Sequence, residues 1–259
     1  MRYAILSDVH ANLEALTAVL EDARARGAER IVCAGDLVGY HADPEACVAL
    51  LRARDAVCVA GNHDRVAAGL ADPRDFGDLA RRTAGWTREH LGDESRAFLG
   101  SLPIARAVDA RFLLVHGALH PRPNADLHLS SSARVRRSIE ALEGGPHGVR
   151  LAFFGHTHRA AVHGRRASAR VAEGGTVQLF VDDACLVNPG SVGQPRDGDP
   201  RAAYAIFDAE ARAVSFVRVP FDRDACLAKA ARAGLLAPAE RRGLSGLVAR
   251  LTSLARGPS

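Results

Sequence analysis

Apolar residues in this chain fall into short continuous runs, and a polar cluster closes each of five of them. The runs Tyr3–Leu6, Ile31–Ala34, Val57–Ala60, Phe112–Val115 and Leu151–Phe154 lack the alternation of a half-exposed strand. They read as strands buried on both faces. Between the first two runs the period becomes helical. Asn12–Arg26 carries Leu13, Leu16, Ala18, Val19 and Leu20 at helical spacing and stops before Gly27, a glycine termination signal. Asp43-Pro44 opens the next helix, with proline in its first turn. This strand–helix–strand–helix–strand succession predicts parallel pairing with right-handed crossovers.

Residues 64–101 read as a mostly helical, polar insertion directly after the third cluster, and Ser131–Leu142 as a further helix with serines available as N-cap. Ala202–Phe207 and Val214–Val219, on either side of Asp208-Ala209-Glu210, predict an antiparallel hairpin. Arg223–Ala233 and Pro238–Ala255 predict a helical tail over about residues 222–255. With no internal repeat, one domain over residues 1–259 is expected.

Composition narrows the function classes. The 259 residues are 47% hydrophobic, and the mean hydropathy is −0.05. No apolar run has the length of a membrane span. The chain passes from Met1-Arg2 straight into a strand, leaving no room for a signal peptide, so a cytoplasmic location is expected. Cys33, Cys47, Cys58, Cys185 and Cys226 form no C-x-x-C pair and read as buried thiols. The net charge is +4, but the 34 cations include one lysine, Lys229, leaving 33 arginines scattered without an aromatic-interleaved tract. A nucleic-acid surface is therefore disfavoured, and the sequence leaves the oligomeric state open.

The clusters supply the chemistry. They are Asp8-Val9-His10, Gly35-Asp36, Gly61-Asn62-His63-Asp64, His116-Gly117 and Gly155-His156-Thr157-His158. Strand ends are where open α/β sheets place ligands. Asp8 and His10 are two apart and would face one side of a regular strand. Asp36 offers two oxygens able to bridge two ions, Asn62 a neutral oxygen, and His116, His156 and His158 imidazoles. A tight turn at Thr157 can send His156 and His158 to different ions. Mixed carboxylate, amide and imidazole donors suit Mn²⁺, Fe²⁺, Zn²⁺, Co²⁺ or Ni²⁺ more than Mg²⁺ or Ca²⁺, and two such ions are expected, with Mn²⁺ the favoured metal.

Two divalent ions bring four positive charges. Asp8, Asp36 and a bridging hydroxide return three, so the open position keeps a net positive charge that attracts phosphate. Ions about 3.5–4 Å apart bring a shared water's pKa toward 7 and clamp an in-line displacement. His63 can protonate the leaving group as an imidazolium, with Asp64 orienting its ring and raising its pKa. His41, His90, His120, His128, His147 and His163 match no such spacing and read mainly as surface residues, His41 and His120 lying just past motifs.

The motifs, in this order, resemble those of the calcineurin-like metallophosphoesterases, and Asn188-Pro189-Gly190-Ser191 extends the likeness. Ser7–Leu16 and Gly35–Tyr40 are similar to the small bacterial and archaeal phosphodiesterase group. The resemblance implies a four-layer α/β/β/α sandwich of two mixed sheets flanked by helices. It implies one ion on Asp8, His10, Asp36 and His158, a second on Asp36, Asn62, His116 and His156, and His63 as catalytic acid. Gly39-Tyr40-His41 stands where protein phosphatases of this superfamily carry a phosphate-gripping arginine, which disfavours a protein substrate. The expected activity is hydrolysis of phosphodiester or phosphoanhydride bonds in small nucleotide-like substrates. The alternatives are a broad phosphomonoesterase, and a non-catalytic scaffold on the same fold. Outside the metal shell, Asn12, Tyr40, His41, Arg122 and Asn124 are the candidate substrate contacts.

Overall fold

The continuous apolar runs are strands because each face of each run meets a different core. In the first strand, β1 (Arg2–Leu6), Tyr3 and Ile5 join one buried cluster while Ala4 and Leu6 join another. The computed structural model of the protein describes residues 1–165, 168–171, 174–180 and 183–236. After β1 the chain forms α1 (Leu13–Ala25), β2 (Arg30–Cys33), α2 (Pro44–Ala53), β3 (Val57–Cys58) and α3 (Asn62–Ala67). The expected insertion follows as a short 3₁₀ turn at Pro73–Asp75, then α4 (Asp78–Glu89) and α5 (Asp93–Ser101).

β4 (Ala105–Val108), β5 (Phe112–Val115), α6 (Ser132–Glu143) and β6 (Leu151–Phe153) come next. β7 (Ala161–Gly164), β8 (Ser168–Arg170), β9 (Thr176–Gln178) and β10 (Cys185–Asn188) are short. The hairpin β11 (Ala202–Asp208) and β12 (Ala213–Val219) precedes α7 (Arg223–Arg232). The tail predicted over Pro238–Ala255 lies outside the described residues.

Among the described residues two six-stranded sheets result, ordered β3-β2-β1-β11-β12-β9 and β4-β5-β6-β10-β7-β8. Each contains a parallel triplet, β3-β2-β1 in one and β5-β6-β10 in the other, extended by antiparallel strands. This is the expected α/β sandwich of two mixed sheets. The core between the sheets holds Tyr3, Phe112, Phe153 and Phe207, with Tyr3–Phe112 centroids 5.2 Å apart and Phe112–Phe153 5.0 Å apart, both edge to face. The outer face of the first sheet packs on Leu16, Val19, Leu20, Val48 and Leu51 of α1 and α2. The second sheet packs on Val135, Ile139 and Leu142 of α6. All five cysteines are free and buried, as expected.

Parallel strands within a triplet end at the same edge. The ends of β1, β2 and β3 therefore present Asp8, His10, Asp36, Asn62 and His63 together, and those of β5 and β6 present His116, His156 and His158. The inter-sheet aromatic core holds the two edges in place. Phe112→Ala should destabilise the protein by about 3–5 kcal/mol, the usual cost of emptying a buried aromatic site. Phe180→Ala, at a side chain 70% exposed, should change stability by no more than about 0.5 kcal/mol. Urea unfolding of both variants checks the contrast.

Candidate metal centre

The ligand candidates do not leave their strands in strand geometry. Asp8, His10, Asp36, His156 and His158 all have φ between 52° and 64°, the left-handed region that Asp and His tolerate better than most side chains. Turns, rather than strand alternation, therefore aim Asp8 and His10. Backbone bonds fix these turns: Asp8 N–H donates to the Gly35 carbonyl at 3.0 Å and His10 N–H to that of Asp36 at 2.9 Å. The Asn188-Pro189-Gly190-Ser191 segment braces the turns from the second sheet. Asn188 Nδ2 donates to the Gly155 carbonyl at 2.8 Å, and Ser191 Oγ to that of Asp8 at 2.9 Å. Gly61 approaches so closely that a Cβ there would lie 2.0 Å from Asp36 Oδ1.

Three groups of ligand atoms converge, the atoms of each lying within 4.8 Å of one another: Asp8, His10 and His158; His10, Asp36 and His63; Asp36, His116 and His156. Asp36 Oδ2 lies 3.2 Å from His116 Nε2 and 3.7 Å from His10 Nε2, so one carboxylate serves both flanks. Asp8 Oδ1 lies 3.3 Å from His158 Nε2. His156 and His158 fall into different groups, as the turn at Thr157 leads one to expect.

The imidazole tautomers follow from backbone oxygens. His10 Nδ1 meets the Val38 carbonyl at 3.1 Å, His116 Nδ1 that of Ala34 at 2.7 Å and His158 Nδ1 that of Gln194 at 2.6 Å. His156 reverses its ring, placing Nε2 3.1 Å from the Asp126 carbonyl. A carbonyl only accepts, so each of these nitrogens carries a proton and the other faces inward, as a lone pair wherever the ring is neutral. The inward nitrogens meet pairwise, His10 with His158 at 3.1 Å and His116 with His156 at 3.2 Å. Two lone pairs at that distance repel unless a cation lies between them, and the proton on His116 or a metal ion can each supply that charge. Nitrogens bound about 2.1 Å from one ion at 90–110° are about 3.0–3.4 Å apart. Asp8 Oδ2 and Asn62 Oδ1 are buried without a hydrogen-bond partner. The donors present fit divalent transition-metal ions.

Charge agrees with that reading. Burial pushes His156 down to about 2, His158 to about 3, with the Arg196 guanidinium assisting, and His63 to about 4. Their lone pairs are therefore free near neutrality. Burial raises the Asp8 carboxyl to about 6. Burial opposes the charge on His116, but the Asp36 and Asp8 carboxylates beside it push it up to about 10. A proton shared near Asp36 thus stands where a metal's charge would stand.

One expectation requires correction. Asp64 does not orient His63. Its Oδ1 accepts from the Leu37 and Val38 amides at 2.8 and 3.2 Å, and its Oδ2 from Gly61 N–H at 2.9 Å. Both residues lie in α3, where consecutive side chains diverge. Asp64 ties the second motif turn to the third, and burial of His63 outweighs the upward pull of the Asp36 carboxylate on its pKa. The His63 ring is instead held by rings, with centroids 4.8 Å from Tyr40, 4.7 Å from Phe76 and 4.9 Å from His10.

The candidate substrate contacts separate. Tyr40 lines the cleft over the ligands, a cavity of about 150 Å³. Asn12 caps α1, its oxygen accepting from Ala15 N–H and its amide donating to the Gly193 carbonyl. His41 meets the His10 carbonyl at 2.9 Å and faces a neighbouring cavity with Asn12. Arg122 is exposed on the loop after β5, and the Asn124 side chain accepts from the Asp126 and Leu127 amides. Neither lines the cleft. In their place the structure brings Phe76, His128 and Arg196 to it. His128 is no isolated surface histidine, since its ring stacks on His156 with centroids 3.6 Å apart. No motif marks these three residues; each stands alone on a loop.

Comparison with known proteins identifies the family. Residues 1–212 match the calcineurin-like phosphoesterase superfamily domain. An uncharacterized protein of Methanocaldococcus jannaschii is 36% identical over 221 residues, 85% of this chain and 87% of the relative. A metallophosphoesterase from Sphaerobacter thermophilus is 35% identical with a TM-score of 0.77, covering 93% of this chain and 96% of its own. A hypothetical protein from Pyrococcus horikoshii, 20% identical with a TM-score of 0.70 over 91% of this chain and 94% of its own, shares the fold. The chain belongs to the calcineurin-like phosphoesterase superfamily. It is a metallophosphoesterase hydrolase.

The shared position of Asp36 can be measured. Asp36→Ala should weaken both flanking groups by more than the roughly 10–100-fold that loss of an outer-shell partner costs. His10→Ala should mainly weaken the Asp8 flank. Elemental analysis after desalting checks this, and two tightly held ions per chain in Asp36→Ala would contradict a shared ligand.

Proposed function

We propose that this protein is a dinuclear metal-dependent phosphoesterase that hydrolyses phosphodiester or phosphoanhydride bonds of small nucleotide-like substrates. The observation that carries the proposal is the convergence of two pairs of inward imidazole nitrogens, His10 with His158 and His116 with His156, on either side of the Asp36 carboxylate. Asp8, His10, Asp36 and His158 would hold one ion, and Asp36, Asn62, His116 and His156 the other, with Mn²⁺ the favoured metal. Bound there, the ions would supply Lewis-acid charge and an activated water.

The chain's own residues do the remainder. Asn62, buried and neutral, adds a donor without adding negative charge, which keeps the site attractive to phosphate. His63 is the proposed proton donor to the leaving group, a role for which the negative charge of a bound phosphate ester must raise its lowered pKa. Tyr40 and Phe76 pack against its ring and leave it little freedom, so a proton delivered from it has a fixed direction. The cavity of about 150 Å³ is below the size of a typical small-molecule pocket. Its deep part suits a phosphoryl group, and the rest of the substrate lies along the rim formed by Tyr40, Phe76 and His128.

Phosphomonoesters fit the same deep part, so relative rates on bis-p-nitrophenyl phosphate and p-nitrophenyl phosphate decide between diester and monoester preference. Chelator-stripped protein is expected to lose all activity, and Mn²⁺ to restore it better than Mg²⁺. Full activity after verified metal removal would sink the proposal. His63→Gln should retain its metals and lose about 10²–10⁴-fold in kcat, the range of positioned proton transfer. The loss should be largest for an alkyl leaving group and smallest for p-nitrophenolate, which scarcely needs a proton. Equal loss on both, or loss of a metal, would make His63 a ligand or a packing residue instead.

A further inference from the structure

The residues lining the cleft include a single guanidinium, that of Arg196, on the loop between β10 and β11. The loop is anchored to the site. Arg196 N–H donates to the carbonyl of His158, one of the ligand candidates, at 3.2 Å. Arg159 Nε donates back to the Arg196 carbonyl at 2.9 Å. The side chain is likewise fixed. Its Nη2 donates to Gln194 Oε1 at 2.9 Å and to Tyr40 Oη at 3.2 Å, and its central carbon lies 5.7 Å from the Tyr40 ring centroid.

Charge pairing around this loop leaves Arg196 out. Asp197 pairs with Arg218, and Asp199 pairs with Arg201 at 2.7 Å. Among the described residues no carboxylate pairs with Arg196, and its two protein acceptors, Gln194 Oε1 and Tyr40 Oη, are both neutral. Both of those bonds use Nη2, so Nε and Nη1 keep their donors available. The same lining includes the Asp75 carboxylate and the Phe76 ring, whose centroid lies 4.7 Å from that of His63. An anion entering the cleft therefore finds its arginine at Arg196, and an apolar or planar group finds the Phe76 ring.

From this we infer that Arg196, steadied by Tyr40 and Gln194, is the phosphate-recognition cation of the site and directs the substrate's phosphoryl oxygens toward its side of the cleft. The inference rests on the phosphoesterase reading above. It gives a role to Tyr40, which stands where protein phosphatases of the superfamily carry their own arginine. The cation is supplied from the second sheet instead, through a loop distant in sequence, with the tyrosine as its platform.

The test uses inorganic phosphate as the probe on the Mn²⁺-loaded full chain, by titration calorimetry. Hydrogen bonds to a charged group are each worth enough to change affinity about 10–100-fold. Arg196→Gln is expected to weaken phosphate binding by about that factor while metal content and thermal stability stay at wild-type values. Arg196→Lys, which keeps the charge but loses the planar fork, is expected to fall between the two. In turnover assays the Gln variant should raise KM for p-nitrophenyl phosphate by a similar factor. Phosphate affinity within threefold of wild type in Arg196→Gln, or loss of bound metal from it, would overturn the assignment. Wild-type protein that hydrolyses no phosphate ester would overturn the proposed function, whereas the phosphate titration judges Arg196 independently of turnover.

Discussion

The site depends on where the inward nitrogens of four imidazole rings point, and backbone carbonyls decide that. The oxygens of Val38, Ala34, Gln194 and Asp126 each take the outer N–H of one ring. None of these oxygens belongs to the motif whose ring it orients. Val38 follows the second motif and orients a ring from the first. Ala34, at the end of the second strand run, orients the His116 ring. Each loop is therefore held by its neighbours, and the left-handed turns at Asp8, His10, Asp36, His156 and His158 persist because several partners fix each one. Such backbone conformations cost of order 1–3 kcal/mol each and survive only where the surroundings over-determine them. Their concentration on the ligand candidates is the physical mark of a built site.

The two sheets contribute jointly. Asp8 and His10 leave the first sheet and converge with His158 from the second, while Asp36 leaves the first and converges with His116 and His156 from the second. A bound ion on either flank would thus link the two sheets across their common edge, above the Tyr3, Phe112, Phe153 and Phe207 core. Metal binding and folding are then coupled, since ions that bind only the assembled edge stabilise the folded chain. Before any ion binds, the charge on His116 and the neutral state of the other rings limit the repulsion among buried groups.

Much of this was legible in the sequence for a simple reason. Strands buried on both faces are continuous apolar runs, and ligand residues must stand where those runs stop. Tyr3–Leu6 and Phe112–Val115 show both features at once. The short strands β4, β8 and β9 were not legible, because Ala105–Val108, Ser168–Arg170 and Thr176–Gln178 are three or four residues long and none is a continuous apolar run. The Asp64 expectation failed because adjacency in sequence is not adjacency on a helix. Arg196 and His128 escaped notice because nothing local distinguishes a functional residue on a loop. Arg196 is placed by a bond to the His158 backbone, and His128 by stacking on His156. A scan for charged residues lacking a nearby partner of opposite sign would not have isolated Arg196, since Asp197 is its neighbour in sequence and pairs elsewhere only in the fold.

Anomalous diffraction from crystals grown with Mn²⁺ tests the central claim most directly, because it locates ions without reference to turnover. Two peaks are expected on either side of Asp36, one in reach of His10 Nε2 and His158 Nε2, the other in reach of His116 Nε2 and His156 Nδ1. A single peak, or ions bound only at surface carboxylates while the four inward nitrogens face one another, would contradict the dinuclear centre.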